Sequence, residues 1–180
     1  KGLDVAVDAL AQMSSSNAQL VVVGGPSGAD GVAELLRIRS TIEANGLIDR
    51  VRFVESQPHH MLSTFYRAAD LCLVPSRSES FGLVAAEALA CGTPVVATAV
   101  GGLTTLVEHE RSGLLMIDRD PARWAAEIDR LLGDPERLVL MSKAAAEKGR
   151  TYAWSTTAAR LRRLYGDLSA ERVPAVCGVR

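Results

Sequence analysis

The sequence predicts an α/β fold, one doubly wound parallel sheet with helices on both faces. Three observations carry this. Short apolar runs recur, each closed by a Gly, Pro or polar loop. Between them, apolar residues fall at helical spacing. The alternation continues with no internal repeat, no low-complexity segment and no Pro/Gly/Ser-rich linker. Strands that alternate with amphipathic helices build βαβ units, and right-handed crossovers wind those units into a covered parallel sheet.

The elements follow in order. Leu3, Ala6, Val7, Leu10 and Met13 predict a helix over 3–13. Residues 19–23 form a buried strand stopped by Gly24-Gly25-Pro26. Leu35, Ile38 and Ile42 mark a helix ended by Asn45-Gly46. A strand over 51–54, a helix over 61–69 and a strand over 71–74 come next, the last stopped by Pro75. Then come a helix over 81–91, a strand over 94–98, a helical turn over 104–108 and a final strand over 114–117. Helices over 122–132, 136–150 and 155–168 close the domain. Residues 1–168 read as one Rossmann-like domain and 169–180 as a loose tail. The chain opens on Lys1-Gly2 rather than Met, as expected of a fragment, a processed product or an excised domain, and its first strand is expected to be missing.

Bulk composition narrows the function classes. Of 180 residues, 48% are hydrophobic and 23% charged, a globular balance. A net charge of −1 gives no general affinity for nucleic acid or anionic membrane. No apolar run approaches the roughly 20 residues of a membrane span. Cys72, Cys91 and Cys177 are too few and wrongly spaced for zinc and read as reduced thiols of a cytoplasmic protein.

In an open parallel sheet, ligands sit at the carboxyl ends of the strands. Three loops qualify: 24–31, 54–60 and 75–80. The third is the most informative, because it leads into Glu79-Ser80-Phe81-Gly82-Leu83 and on to Glu87. Ser80 is placed to cap the helix and Gly82 sits in its first turn. Unpaired amides at such a start make an anion site, and Gly82 admits a bulky anion, so a diphosphate fits the N–H groups of Phe81, Gly82 and Leu83. Glu79 lies before the helix and Glu87 inside it. Each carboxylate can accept two hydrogen bonds, which suits vicinal hydroxyls of a ribose or a sugar. The pattern has the shape of a nucleoside-diphosphate sugar. A glycosidase pair fits poorly: eight helical residues span roughly 12 Å, against about 5 to 9.5 Å for such pairs.

The segment from Glu79 to Glu87 resembles the E-x7-E signature of retaining family 4 glycosyltransferases of the GT-B fold. The likeness extends through Val23-Gly24-Gly25, Phe65-Tyr66-Arg67-Ala68-Ala69-Asp70, Gly92-Thr93-Pro94, Gly101-Gly102-Leu103, Ser112-Gly113-Leu114-Leu115 and Trp154-Ser155. Gly24-Gly25-Pro26-Ser27-Gly28 and the run from Ser78 to Ala85 are similar, within that family, to the actinobacterial transferases that move GlcNAc from UDP-GlcNAc to inositol phosphate in mycothiol synthesis.

The resemblance implies the C-terminal, donor-binding half of such an enzyme. Glu87 would hold the ribose and Glu79 the transferred sugar. Ser80 and the amides of Phe81, Gly82 and Leu83 would face the phosphate and sugar. Lys1 matches the basic residue of the family's phosphate-binding K-G step, whose partner Arg is expected upstream. The loop from Val54 to Gln57 would meet the base, largely through backbone groups. The resemblance further implies a UDP-linked donor, retained anomeric configuration, no metal or other cofactor, and a cytoplasmic enzyme, free or peripheral at the inner membrane face. Its partners would be an acceptor small molecule or glycan and an N-terminal domain that supplies acceptor recognition and the catalytic His. Without that domain the fragment is expected to bind nucleotide but not to transfer. An epimerase or phosphorylase of the same fold is the competing reading.

Other signals read as structural. Asp118-Arg119-Asp120 spells the D-x-D of metal-dependent transferases, but Pro121 follows it and helix capping is expected. His59-His60 reads as exposed loop. The glycines of 24–31 are out of register for a dinucleotide fingerprint, and Pro26 interrupts them.

Overall fold

The computed structural model describes residues 1–26 and 30–171, with the side chains of the last two left aside. Cys177, Ser27, Gly28 and the stretch 172–180 of the expected tail lie outside the described residues.

Helices and strands alternate as expected: α1 (Leu3–Gln12), β1 (Leu20–Val23), α2 (Gly31–Ala44), β2 (Val51–Val54), α3 (His59–Ala68) and β3 (Cys72–Val74). They continue with α4 (Leu83–Ala90), β4 (Val95–Thr98), α5 (Leu103–Leu106) and β5 (Gly113–Met116). The last three are α6 (Pro121–Leu132), α7 (Pro135–Arg150) and α8 (Trp154–Glu171). Every ladder is parallel.

Two expectations need correction. The ladders form two sheets, β1-β2 and β3-β4-β5, rather than one, because no ladder joins β1 to β3. Helix α1 packs on both sheets. Its Val5 and Ala9 pack with Val96, Leu114 and Trp124 of the larger sheet's core, while Val7 and Leu10 pack with Ile38, Ile42 and Leu47 over the smaller sheet. Apolar residues on two faces of a 3.6-residue period let one helix do both. The second correction is at the end of the chain, where α8 runs past Leu168 to Glu171, so the first residues of the expected tail are helical.

The larger sheet is the deeper. All four residues of β4 are buried, and Ala88, Leu89, Leu103 and Ala145 around it are fully enclosed. Asp120 and Asp134 start α6 and α7, each accepting a backbone N–H in the first turn (3.1 Å from Ala122, 3.0 Å from Arg137) with a Pro next in sequence. The D-x-D is therefore a helix cap, as its Pro suggested. Asp118 bonds to Arg123, and its carbonyl accepts from the indole of Trp124 at 3.0 Å. No helix among the described residues is long and apolar enough to cross a membrane.

Candidate functional site

The loops 24–26, 55–58 and 75–82 leave the carboxyl ends of β1, β2 and β3. Parallel register puts the first two at one end of the smaller sheet. Contacts between α3 and α4 bring the third beside them.

The start of α4 departs from expectation. Gly82, not Ser80, is the N-cap, and no side chain caps the helix. Gly82 is left-handed, with φ 97° and ψ 53°, a conformation that glycine alone adopts without strain. A Cβ there would also come within 2.8 Å of Leu103. The chain therefore turns at Gly82, two residues after Ser80. Ala86 N–H is the first to bond back, to the Gly82 carbonyl at 3.0 Å. That leaves the N–H groups of Leu83, Val84 and Ala85 without an intrahelical acceptor. The open amides thus extend deeper into the helix than Phe81, Gly82 and Leu83. Phe81, Leu83 and Val84 surround them as exposed apolar side chains.

The loop before α4 is held from behind. Gly102 N–H donates to the Glu79 carbonyl at 3.0 Å. A Cβ on Gly101, which has φ 49°, would meet that carbonyl oxygen at 1.9 Å. A Cβ on Gly102 would lie 2.4 Å from the Phe81 oxygen. Two backbones meet here with no room for side chains. Phe81 also lies edge-on to Tyr152, ring centroids 6.2 Å apart.

The two carboxylates sit in different settings. Glu79 is largely buried, and one of its oxygens lies 3.8 Å from Lys1 Nζ, so the first residue of the chain reaches this loop. Glu87 is the one charged residue of α4, whose other seven residues are Leu, Val and Ala. Its oxygens are each engaged. Tyr66 Oη donates to Oε2 at 2.9 Å, and His59 Nε2 lies 3.0 Å from Oε1. Burial first, and then the Glu87 carboxylate, push the Tyr66 phenol above its ordinary value, so it keeps its proton. The same causes push the Cys72 thiol up to about 12. Cys72 and Cys91 are both free.

Two groups of the loop expected to meet a base are engaged within the chain. Val54 O accepts from Gly24 N–H at 2.9 Å, and the Gln57 amide folds back on the Glu55 carbonyl at 3.0 Å. His59 and Tyr66 are the residues that sequence reading left out of the site. His59 is exposed as expected, but it opens α3 instead of lying in a loop. Its contact with Glu87 bridges 28 positions and that of Tyr66 bridges 21, so no local pattern announces them. A lone Glu in an otherwise apolar helix was the available signal. Among the described residues, no group of His, Cys, Asp and Glu is arranged to hold a metal ion.

This arrangement has close relatives. Over 166 residues the chain is 45% identical to the D-inositol 3-phosphate glycosyltransferase of Thermobispora bispora, covering 91% of this chain and 38% of that protein. Over 152 residues it is 47% identical to the Salinispora tropica enzyme of the same name, covering 84% and 31%. The chain thus spans well under half the length of these relatives. Among solved structures, sucrose-phosphate synthase from Thermosynechococcus elongatus superposes with a TM-score of 0.84 at 41% identity, over 95% of this chain and 43% of that one. Anabaena Alr3699/HepE, in complex with UDP and glucose, does so with a TM-score of 0.82 at 26% identity, over 94% and 45%. The fold is that of half a GT-B glycosyltransferase. Residues 1–148 match the family model of glycosyl transferases group 1, and the chain belongs to that family.

Proposed function

We propose that these residues form the donor-binding part of a retaining family 4 glycosyltransferase that uses a UDP-sugar, with GlcNAc the sugar favoured by the likeness to the inositol-phosphate transferases. The observation that carries this is the pairing of Glu79 and Glu87 on either side of an uncapped, left-handed Gly82 turn. A diphosphate at the open amides of Leu83, Val84 and Ala85 would meet the positive end of α4. Phe81, Gly82 and Ser80 line its approach. The sugar hydroxyls then fall to Glu79 and the ribose hydroxyls to Glu87. Residues 54–57 take the base through backbone groups.

The chemistry is charge management. As the glycosidic bond to the diphosphate breaks, negative charge grows on the leaving oxygens and the sugar becomes oxocarbenium-like. Lys1 and the helix-start amides stabilise the leaving group. The acceptor hydroxyl attacks from the same face and passes its proton to the departing diphosphate oxygen, which retains configuration. Acceptor recognition belongs to the part of the relatives that this chain does not span. Free thiols such as Cys72 suit a cytoplasmic enzyme.

Calorimetric titration tests the assignment. UDP should bind more tightly than GDP or ADP. Glu87→Ala should weaken UDP about 10- to 100-fold, the range of a lost charged hydrogen bond. Glu79→Ala should weaken the UDP-sugar more than UDP. Unchanged UDP affinity in Glu87→Ala would sink the ribose assignment, and equal losses on both ligands in Glu79→Ala would sink the sugar assignment.

A further inference from the structure

The two oxygens of Glu87 have partners of opposite character. Tyr66 is fixed. Its ring packs against the core around Val74, Ala85 and Leu89. Its own carbonyl accepts from Thr93 Oγ1 at 2.6 Å and from Ala69 N–H at 3.1 Å. Its phenol keeps its proton and can only donate to the carboxylate. His59 is the reverse. Its side chain is 84% exposed, it stands on the first turn of α3, and facing a carboxylate its Nε2 must donate.

We propose that Tyr66 is a positioning residue that locks Glu87 through Oε2 and aims Oε1 at the ligand, while His59 holds Oε1 only until a ribose hydroxyl replaces it. The proposal rests on the ribose assignment of Glu87 given above. A carboxylate on a flexible Glu has several rotamers, and a hydrogen bond from a half-buried phenol packed against the core selects one of them. With Oε2 engaged, the ribose diol meets one free oxygen in a defined direction. A ligand hydroxyl exchanges for His59 at little cost, because an exposed imidazole regains water on leaving.

The test compares UDP with 2′,3′-dideoxy-UDP by calorimetry on the full chain. The unaltered protein should prefer UDP by at least about tenfold, as a charged hydrogen bond requires. Tyr66→Phe should cut that preference severalfold by weakening UDP while leaving the dideoxy ligand unchanged. A structural role alone would weaken both ligands equally, and that result overturns the positioning role. His59→Ala should tighten UDP about two- to fivefold with no change for the dideoxy ligand; weaker UDP binding would overturn the placeholder role. Binding of dideoxy-UDP serves as the check that each variant is folded. If the unaltered protein binds both ligands alike, the ribose assignment and this proposal fall together. If it discriminates and Tyr66→Phe discriminates equally, only this proposal falls.

Discussion

The β3-β4-β5 half and the β1-β2 half of the molecule repeat the same strand–helix unit, yet they are consolidated to different depths. Every residue of β4 is buried, whereas β1 and β2 each expose their second residue, Val21 and Arg52. The core beneath β4 holds the fully enclosed Trp124, Leu89 and Leu131. The smaller core holds Ile38, Ile42 and Leu47, each with a few per cent of its surface open. The deep half carries Glu79, Glu87 and the amides between them, the groups proposed to receive the donor, where preorganised geometry would matter most. The shallow half carries residues 54–57, proposed to meet a base through backbone groups, a contact that would tolerate more movement. The deeper burial thus lies in the half that carries the proposed donor groups.

Urea unfolding would break or sharpen this contrast. Trp124→Ala should cost most, about 3–5 kcal/mol, because it empties the deep core and leaves the Asp118 carbonyl without its indole donor. Ile42→Ala should cost nearer 2 kcal/mol, the low end for such truncations, since the shallow core can close around the gap. Equal losses in the two variants would abolish the distinction between the halves.

A smaller effect is expected at Asp129 on α6, which accepts N–H groups from Ser14 at 2.6 Å and Ser15 at 3.2 Å just beyond α1. Burial alone would raise this carboxyl, but the amide hydrogen bonds win and hold it below its usual value. A carboxyl depressed in the folded state contributes stability that is complete above its unfolded value and disappears as pH falls through the folded one. Asp129→Asn should therefore narrow the gap in unfolding midpoint between neutral and acidic pH. An undiminished gap would mean that this carboxylate has no part in acid sensitivity.

Much of the fold was legible because periodicity is local. The strand over 51–54 matches its predicted bounds, and Pro121 correctly marked Asp120 as a cap. What escaped depends on tertiary neighbours. Ser80 is a good capping residue by type, but the close approach of Gly101 and Gly102 to its loop moves the helix start to Gly82. Glu79, Lys1 and Glu87 are the residues that spacing and likeness propose, and the structure brings Lys1 to within 3.8 Å of Glu79. Tyr66 and His59 could not be named in advance, since only the packing of α3 on α4 brings them to Glu87.

Helix α1 gives the division between the halves a further meaning. It seats alternate faces on two sheets that share no ladder. Segments joined by side-chain packing rather than by backbone ladders can open as separate cooperative units. The shallow half can thus fray while the deep half stays intact. A ligand that touched both the 55–58 loop and Glu87 would bind only the closed arrangement, and mass action would then protect the amides of β1 and β2 without contacting either strand.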